Sequence, residues 1–286
     1  MASLSRSERN LIQPESMGPP ELFGPPPPIE SLPFGPSPVQ IHPLVLVLGP
    51  GLARGFSYAG VLRALNDAKI PIGAIFGTEM GSLMGALYAM SANSNQFEWG
   101  LLRFKENIFR QKSTFFSTAG VVPSSGDKLE TQLKEVFKNK DIQEFKIPIN
   151  IVIHLKDSGT SMILSGGNAV KILRGALAAP ELFLPSNWDG NTQAISAADI
   201  RPFLVNEAKM LGIGPVVVID VLSEAEEAKV QDELKFADLI IRPDLRGMGP
   251  LDFHKKTEAV FQGKRALMIH LPEIRRLVGI KERDLN

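Results

Sequence analysis

Cysteine is missing from all 286 positions, which removes disulfides, thiolate metal sites and cysteine nucleophiles from the available chemistry. Histidine is scarce too. The four present, His42, His154, His254 and His270, lie outside the motifs described below and are expected to be surface or structural residues. Excess charge of either sign is also lacking. With 31 basic and 31 acidic residues, nothing overall favours a phosphate backbone or an acidic membrane, and nucleic acid is not an expected partner. Residues 1–20 contain basic residues without an apolar h-region, so no secretory signal is expected there. The longest apolar stretch, residues 70–92, contains Pro71, Glu79 and four glycines, Gly73, Gly77, Gly81 and Gly85. It reads as a buried strand, turn and helix and not as a membrane span. No internal repeat is visible.

What the chain does have is material for one sizeable core, with 44% hydrophobic and 22% charged residues. Proline is unevenly placed: 11 of the 22 fall in the first 44 positions, including the run Pro25 to Pro28. Such a segment lacks the amide donors of helix or central strand. Residues 1–43 are therefore expected to be a disordered or polyproline II tail or linker, or a ligand for a proline-binding module. Residues 44–286 are expected to form the folded domain.

Within that domain, apolar runs at 44–48 and 72–76 alternate with helical periods carried by Val61, Leu62 and Leu65 and by Leu83, Leu87 and Met90. This β-α-β-α order predicts a parallel sheet covered by helices. Further helices are expected over 96–109, 127–137 and 168–178, and strands over 148–155 and 161–164. Compact β-branched runs at 216–221 and 239–241 read as strands buried on both faces, separated by a charged helical stretch. The C-terminus, 253–278, reads as a helix interrupted at Gly263 and Pro272.

The segment Gly77-Thr78-Glu79-Met80-Gly81 lies between an expected strand and an expected helix, the setting of a nucleophile elbow. Its glycines permit a sharp turn that aims the middle side chain at a helix N-terminus, where backbone amides favour negative charge. Upstream lies a glycine-rich loop, Gly49-Pro50-Gly51-Leu52-Ala53-Arg54-Gly55. Downstream, Arg174-Gly175-Ala176-Leu177-Ala178-Ala179-Pro180 precedes Phe183-Leu184-Pro185, the turn Asp189-Gly190, and Ile195-Ser196-Ala197-Ala198-Asp199-Ile200-Arg201-Pro202.

Through these motifs the chain resembles the patatin-like phospholipase family from about Leu44 to Val278. The resemblance implies a three-layer α/β fold with a mostly parallel central sheet and helices on both faces. It also implies acyl-ester hydrolysis of lipids by a serine and aspartate dyad, with no histidine and no cofactor, and no metal site is expected. Gly51, Leu52, Ala53, Arg54 and Gly55 correspond to the oxyanion loop, and Gly77, Thr78, Met80 and Gly81 to the elbow. Both dyad positions depart from the family pattern, with Glu79 in the place of the serine and Ser196 in that of the aspartate. Ala197 and Ala198 replace two glycines, Pro50 has no amide hydrogen, and Leu52 is bulky where the family has glycine. No intact catalytic pair is expected.

Glu79 then has three readings. As a tolerated anion near a helix N-terminus it gains roughly 0.3–1 kcal/mol. As a stand-in for the substrate oxyanion it accepts bonds from the Gly51 to Ala53 amides or from Arg54. As a carboxylate nucleophile it needs a separate base to activate water. Asp199 as a displaced base is expected about 10 Å further along a strand and on its other face. Ser57 and Ser82 are expected to be helix residues with local hydrogen bonds.

The function expected is a lipid acyl-hydrolase scaffold acting as a pseudoenzyme in lipid or partner binding or regulation. The alternatives are an active phospholipase or esterase with non-standard residues, and a structural assembly module with a closed cleft. A lipid or acyl ligand, a protein partner and a membrane surface are the partners left open, and oligomeric state is not readable. Trp99 and Leu102 are expected to pack on the core, with Phe115 and Phe116 facing lipid or a partner. The chain as written fits the cytoplasm; a tethered or periplasmic protein with its signal absent from this chain is the alternative.

Overall fold

A computed structural model describes residues 41–109, 123–228 and 230–280; Phe115 and Phe116 lie outside them. Strand β1 (Leu44–Leu48) leads through a 3-10 turn (Leu52–Phe56) into α1 (Ser57–Asp67), then β2 (Ile72–Gly77) and α2 (Met80–Ala89). Helices α3 (Ser94–Arg103), α4 (Glu106–Phe109) and α5 (Asp127–Phe137) follow, then the hairpin β3 (Ile149–Leu155) and β4 (Thr160–Leu164). After α6 (Ala169–Ala176) come a short hairpin, β5 (Ser186–Asn187) and β6 (Gln193–Ser196), and α7 (Val205–Met210). Strand β7 (Val216–Ile219), the single turns α8 (Glu224–Glu227) and α9 (Gln231–Leu234), β8 (Leu239–Ile241) and the long α10 (Lys256–Val278) complete the order.

The sheet runs β5-β6-β3-β2-β1-β7-β8, with β4 also paired to β3. Strands β3, β2, β1, β7 and β8 are parallel neighbours, while β4, β5 and β6 pair antiparallel. Alternation along β1 shows how the layers form. Leu44, Leu46 and Leu48 enter the apolar cluster with α1, α2 and α10, whereas Val45 and Val47 enter the one with α7. A strand buried on both faces reads as an unbroken apolar run for this reason. The expected three-layer α/β arrangement is what the molecule adopts.

Three expectations need correction. The helix expected over 96–109 is two pieces, because Phe104 leaves helical geometry (ψ 81°) and Lys256 Nζ donates to the carbonyls of Leu101 and Phe104 at 3.0 and 3.4 Å. Trp99 and Leu102 are 55% and 70% exposed, since the face that α3 buries is Phe97, Gly100 and Leu101, continued by Phe104. Helix α10 runs unbroken through Gly263 and Pro272. Gly263 lies against the Ser57 backbone, where a Cβ would sit 1.9 Å from the Ser57 carbonyl oxygen. Pro272 falls on the exposed side. Among the described residues no helix is long and apolar enough to cross a membrane.

Candidate active site

The parallel register sets Leu48 beside Gly77 and Ile219, so the loops leaving β1, β2 and β7 emerge together at the carboxyl ends of their strands. Open α/β sheets place ligand crevices at such edges. Around the β2 loop, steric demand fixes the sequence. A Cβ on Gly77 would lie 2.7 Å from the Ser82 Cα, and one on Gly81 2.1 Å from the Leu48 carbonyl oxygen. These contacts draw the first turn of α2 onto β1, and the Thr78 amide donates to the Leu48 carbonyl at 3.0 Å. Met80 opens α2, and its side chain fills the space a Cβ on Gly55 would need. Glu79, at the bend, is held at φ 51°, ψ −117°, a conformation that costs a non-glycine residue of order 1–3 kcal/mol.

The bend aims the Glu79 carboxylate at the β1 loop. Its Oε2 accepts hydrogen bonds from the amides of Gly51 at 2.7 Å and Leu52 at 2.9 Å. Leu52 presents its amide from a positive φ of 49°. The other two groups considered as partners face elsewhere. The Ala53 amide donates to the Pro250 carbonyl at 2.9 Å. Arg54 donates through Nε to the Met248 carbonyl at 2.9 Å and pairs with Glu226 at 3.3 Å. Tyr58, buried beneath the loop, steadies it by donating to the Gly49 carbonyl at 2.8 Å.

Glu79 is only 1% exposed. Burial raises its pKa to about 7, against the amides of Leu52, Gly51 and Met80, which pull it down, and the Glu181 carboxylate adds a smaller rise. Its second oxygen, Oε1, is buried without a hydrogen-bond partner.

Ser196 ends β6, opposite Ile153, with its hydroxyl accepting from the Ala198 amide at 3.2 Å. Among the described residues no hydrogen bond connects Ser196 to Glu79. Both residues line one cleft of about 600 Å³, with Gly51, Leu52 and Arg54 among its other walls. The cleft is therefore not closed by Leu52 and Glu79, contrary to the structural-module expectation.

Asp199 lines the same cleft. The expected strand position on the opposite face does not occur, because β6 stops at Ser196 and the chain turns, with Ile200 and Arg201 donating back to the Ala197 carbonyl. Ser57 and Ser82 differ from expectation in another way: both are fully buried, and neither hydroxyl has a hydrogen-bond partner. None of the four histidines lines the cleft. His154 instead pairs through Nδ1 with the Ser161 hydroxyl at 3.0 Å. Sequence reasoning missed the acidic walls contributed by Glu181, Glu226, Asp232 and Glu233. Burial raises the Glu233 pKa to about 7, with Glu207 adding to the rise, against the amides of Phe203 and Val205 and the charge of Arg201.

A mostly parallel α/β sheet with a strand–bend–helix elbow facing a glycine-containing amide loop has the architecture of an acyl-hydrolase scaffold. The family model for Patatin-like phospholipase matches residues 46–199, more than half of the chain, and the chain belongs to that family. It is 26% identical over 189 residues to patatin-like phospholipase domain-containing protein 7 of Rattus norvegicus, covering 64% of this chain and 14% of that protein. It is 29% identical over 187 residues to lysophospholipase NTE1 of Phaeosphaeria nodorum, covering 64% of this chain and 12% of that protein. The chain thus spans about one seventh or less of the length of these relatives. Among solved structures, human GIVD cytosolic phospholipase A2 with a fluorophosphonate inhibitor aligns at TM-score 0.46 and 11% identity, covering 83% of this chain and 59% of that one.

Proposed function

We propose that this chain is a patatin-family lipid acyl-hydrolase scaffold whose cleft binds a lipid or acyl ligand without turning it over. The observation that carries the reading is the seat of the Glu79 carboxylate. An oxyanion hole accelerates acyl transfer by keeping amide hydrogens pointed at the charge that develops on the carbonyl oxygen. Here the amides of Gly51 and Leu52 are engaged by Glu79 Oε2. A serine at this position would carry the nucleophile; the longer carboxylate reaches past that point into the oxyanion's place. Ser196 has no carboxylate with which to take a proton. The names of the relatives, phospholipase and lysophospholipase, support a lipid acyl group as the class of ligand. Nucleophilic attack by Glu79 itself lacks support, because its carboxylate already occupies the Gly51 and Leu52 amides that the oxyanion of an attacked ester would need.

The test is hydrolysis of a short-chain aryl ester and of a phospholipid by the purified protein, beside Glu79→Ala and the double variant Glu79→Ser with Ser196→Asp. No turnover by the natural chain is expected, and a gain in the double variant is the favourable companion result. Turnover that disappears in Glu79→Ala would make Glu79 a working nucleophile and overturn the proposal.

A further inference from the structure

The cleft has a chemical bias that hydrolase ancestry does not account for. Among the described residues six carboxylate side chains line it, from Glu79, Glu181, Asp199, Glu226, Asp232 and Glu233, against a single guanidinium, Arg54. Arg54 is already engaged by Glu226 and the Met248 carbonyl, so among the described residues no lining cation is free to receive an anionic group. Of the acids, Glu226 is paired with Arg54 and Asp232 with Lys235, and Glu233 faces the amides of Phe203 and Val205. Glu181 and Asp199, both exposed at the rim, have no such partner among the described residues. Glu79 lies beneath them, within electrostatic reach of Glu181. It is almost wholly buried, and its Oε1 faces no donor of its own. A buried carboxylate oxygen without a donor is incomplete until a ligand or a proton supplies one.

We propose that this cleft selects an amphiphile with a cationic primary ammonium head and no phosphate, the head held between Glu79 Oε1, Glu181 and Asp199. The apolar part of such a ligand has matching walls in Leu52, Ile200, Pro202, Leu222, Val230 and Pro250. A volume of about 600 Å³ falls within the usual range of small-molecule pockets, roughly 300–1,000 Å³. A bare metal ion fits less well. Among the described residues no three histidine, aspartate or glutamate side chains are grouped to hold one, whereas an alkylammonium brings N–H donors for Oε1 and needs only nearby negative charge and apolar contact besides. An anionic phospholipid head would instead meet this acidic wall, with no free cation among the described lining residues to offset it. The assignment goes beyond the proposed lack of turnover and does not depend on it. Ester hydrolysis and head-group selection are read by separate assays and can fail separately.

The test uses the full chain and three probes with one alkyl tail, octylammonium, octanoate and 1-octanol, titrated below their micelle concentrations by calorimetry at pH 8, where a primary amine is still cationic. The ammonium probe is expected to bind at least tenfold more tightly than octanoate, with octanol between them. Glu181→Gln with Asp199→Asn, both at the exposed rim and so compatible with folding, is expected to reduce that preference to less than threefold. Octanol affinity should stay unchanged. Equal affinities across the three probes, a preference for octanoate, or an ammonium preference that survives the double variant would overturn the proposal. So would displacement of the ammonium probe by micromolar calcium, which would reassign the site to a metal ion.

Discussion

Glu79 joins a strained backbone to a buried carboxylate, and its pH response is specific enough to measure. Its native pKa is about 7 against an ordinary value of 4.5, so between those pH values the folded chain holds more protons than the unfolded one. Stability from this residue is therefore fully present below about pH 4.5 and is lost as pH rises through about 7. The total is on the order of 3 kcal/mol. Glu233 shifts in the same direction from a more solvated position, so a Glu79 variant keeps part of the slope. Glu79→Gln retains an oxygen for the Gly51 and Leu52 amides and cannot ionise. Urea unfolding at pH 5 and pH 8 should show the variant gaining about 2 kcal/mol relative to the natural chain as pH rises. Parallel pH profiles for the two proteins would sink this account of Glu79. At this scale the elbow is legible from sequence because its requirements are local: glycine where Leu48 and Ser82 crowd the turn, and one side chain aimed from the bend at the β1 loop. The acidic walls are not legible in the same way. Glu181, Asp199 and Glu226 belong to separate segments and become neighbours only once β6 and β7 have joined the sheet.

Helices α1 and α10 show the same distinction between local and tertiary causes. Read locally, Gly263 and Pro272 interrupt the C-terminal helix, because glycine lowers helix propensity and proline removes an amide. In the fold, Gly263 sits against the Ser57 backbone, and Gly60 of α1 answers it against Val260 and Lys264. The two helices thus cross at glycines on both sides, close enough for backbone to touch backbone. This reverses the usual sign of a substitution. Propensity alone makes Gly263→Ala stabilising by about 1 kcal/mol, but the added Cβ would lie 1.9 Å from the Ser57 carbonyl oxygen, and backbone cannot swing aside. Overpacking of this kind costs about 1–3 kcal/mol or more, so a net loss of about 2 kcal/mol and a melting point lower by roughly 5 °C are expected. Thermal unfolding followed by circular dichroism measures it. An unchanged or raised melting point would mean that the helices separate freely and that the crossing is not close-packed. Trp99 and Leu102 carry the complementary lesson: an apolar residue in an amphipathic helix is core only on the face its neighbours cover, and α3 covers one stripe alone.

For the molecule as a whole, the central position of β1 sets how much of the N-terminus folding can spare. All five β1 residues are buried, and they pair with β2 on one side and β7 on the other. Joining β1 to β7 links positions about 170 residues apart in the chain, so the sheet cannot close until most of the domain has collapsed. Just before the strand, the His42 amide donates to the Val278 carbonyl at the end of α10, at 3.0 Å. The folded unit we propose therefore begins at about residue 41, close to the boundary expected from the proline distribution. A chain starting at Ile41 should unfold cooperatively with a melting point within about 2 °C of the full sequence, since it keeps every described contact of the sheet. A chain starting at Val47 loses Leu44, Val45 and Leu46. At about 1.5–3 kcal/mol for each buried aliphatic side chain, the loss is roughly 5–9 kcal/mol, most of the 5–15 kcal/mol that holds a typical domain folded. That chain should show no cooperative transition. Failure of the Ile41 chain to fold, or its rescue by an added peptide of residues 1–40, would place part of the folding unit inside the proline-rich segment and overturn the proposed boundary.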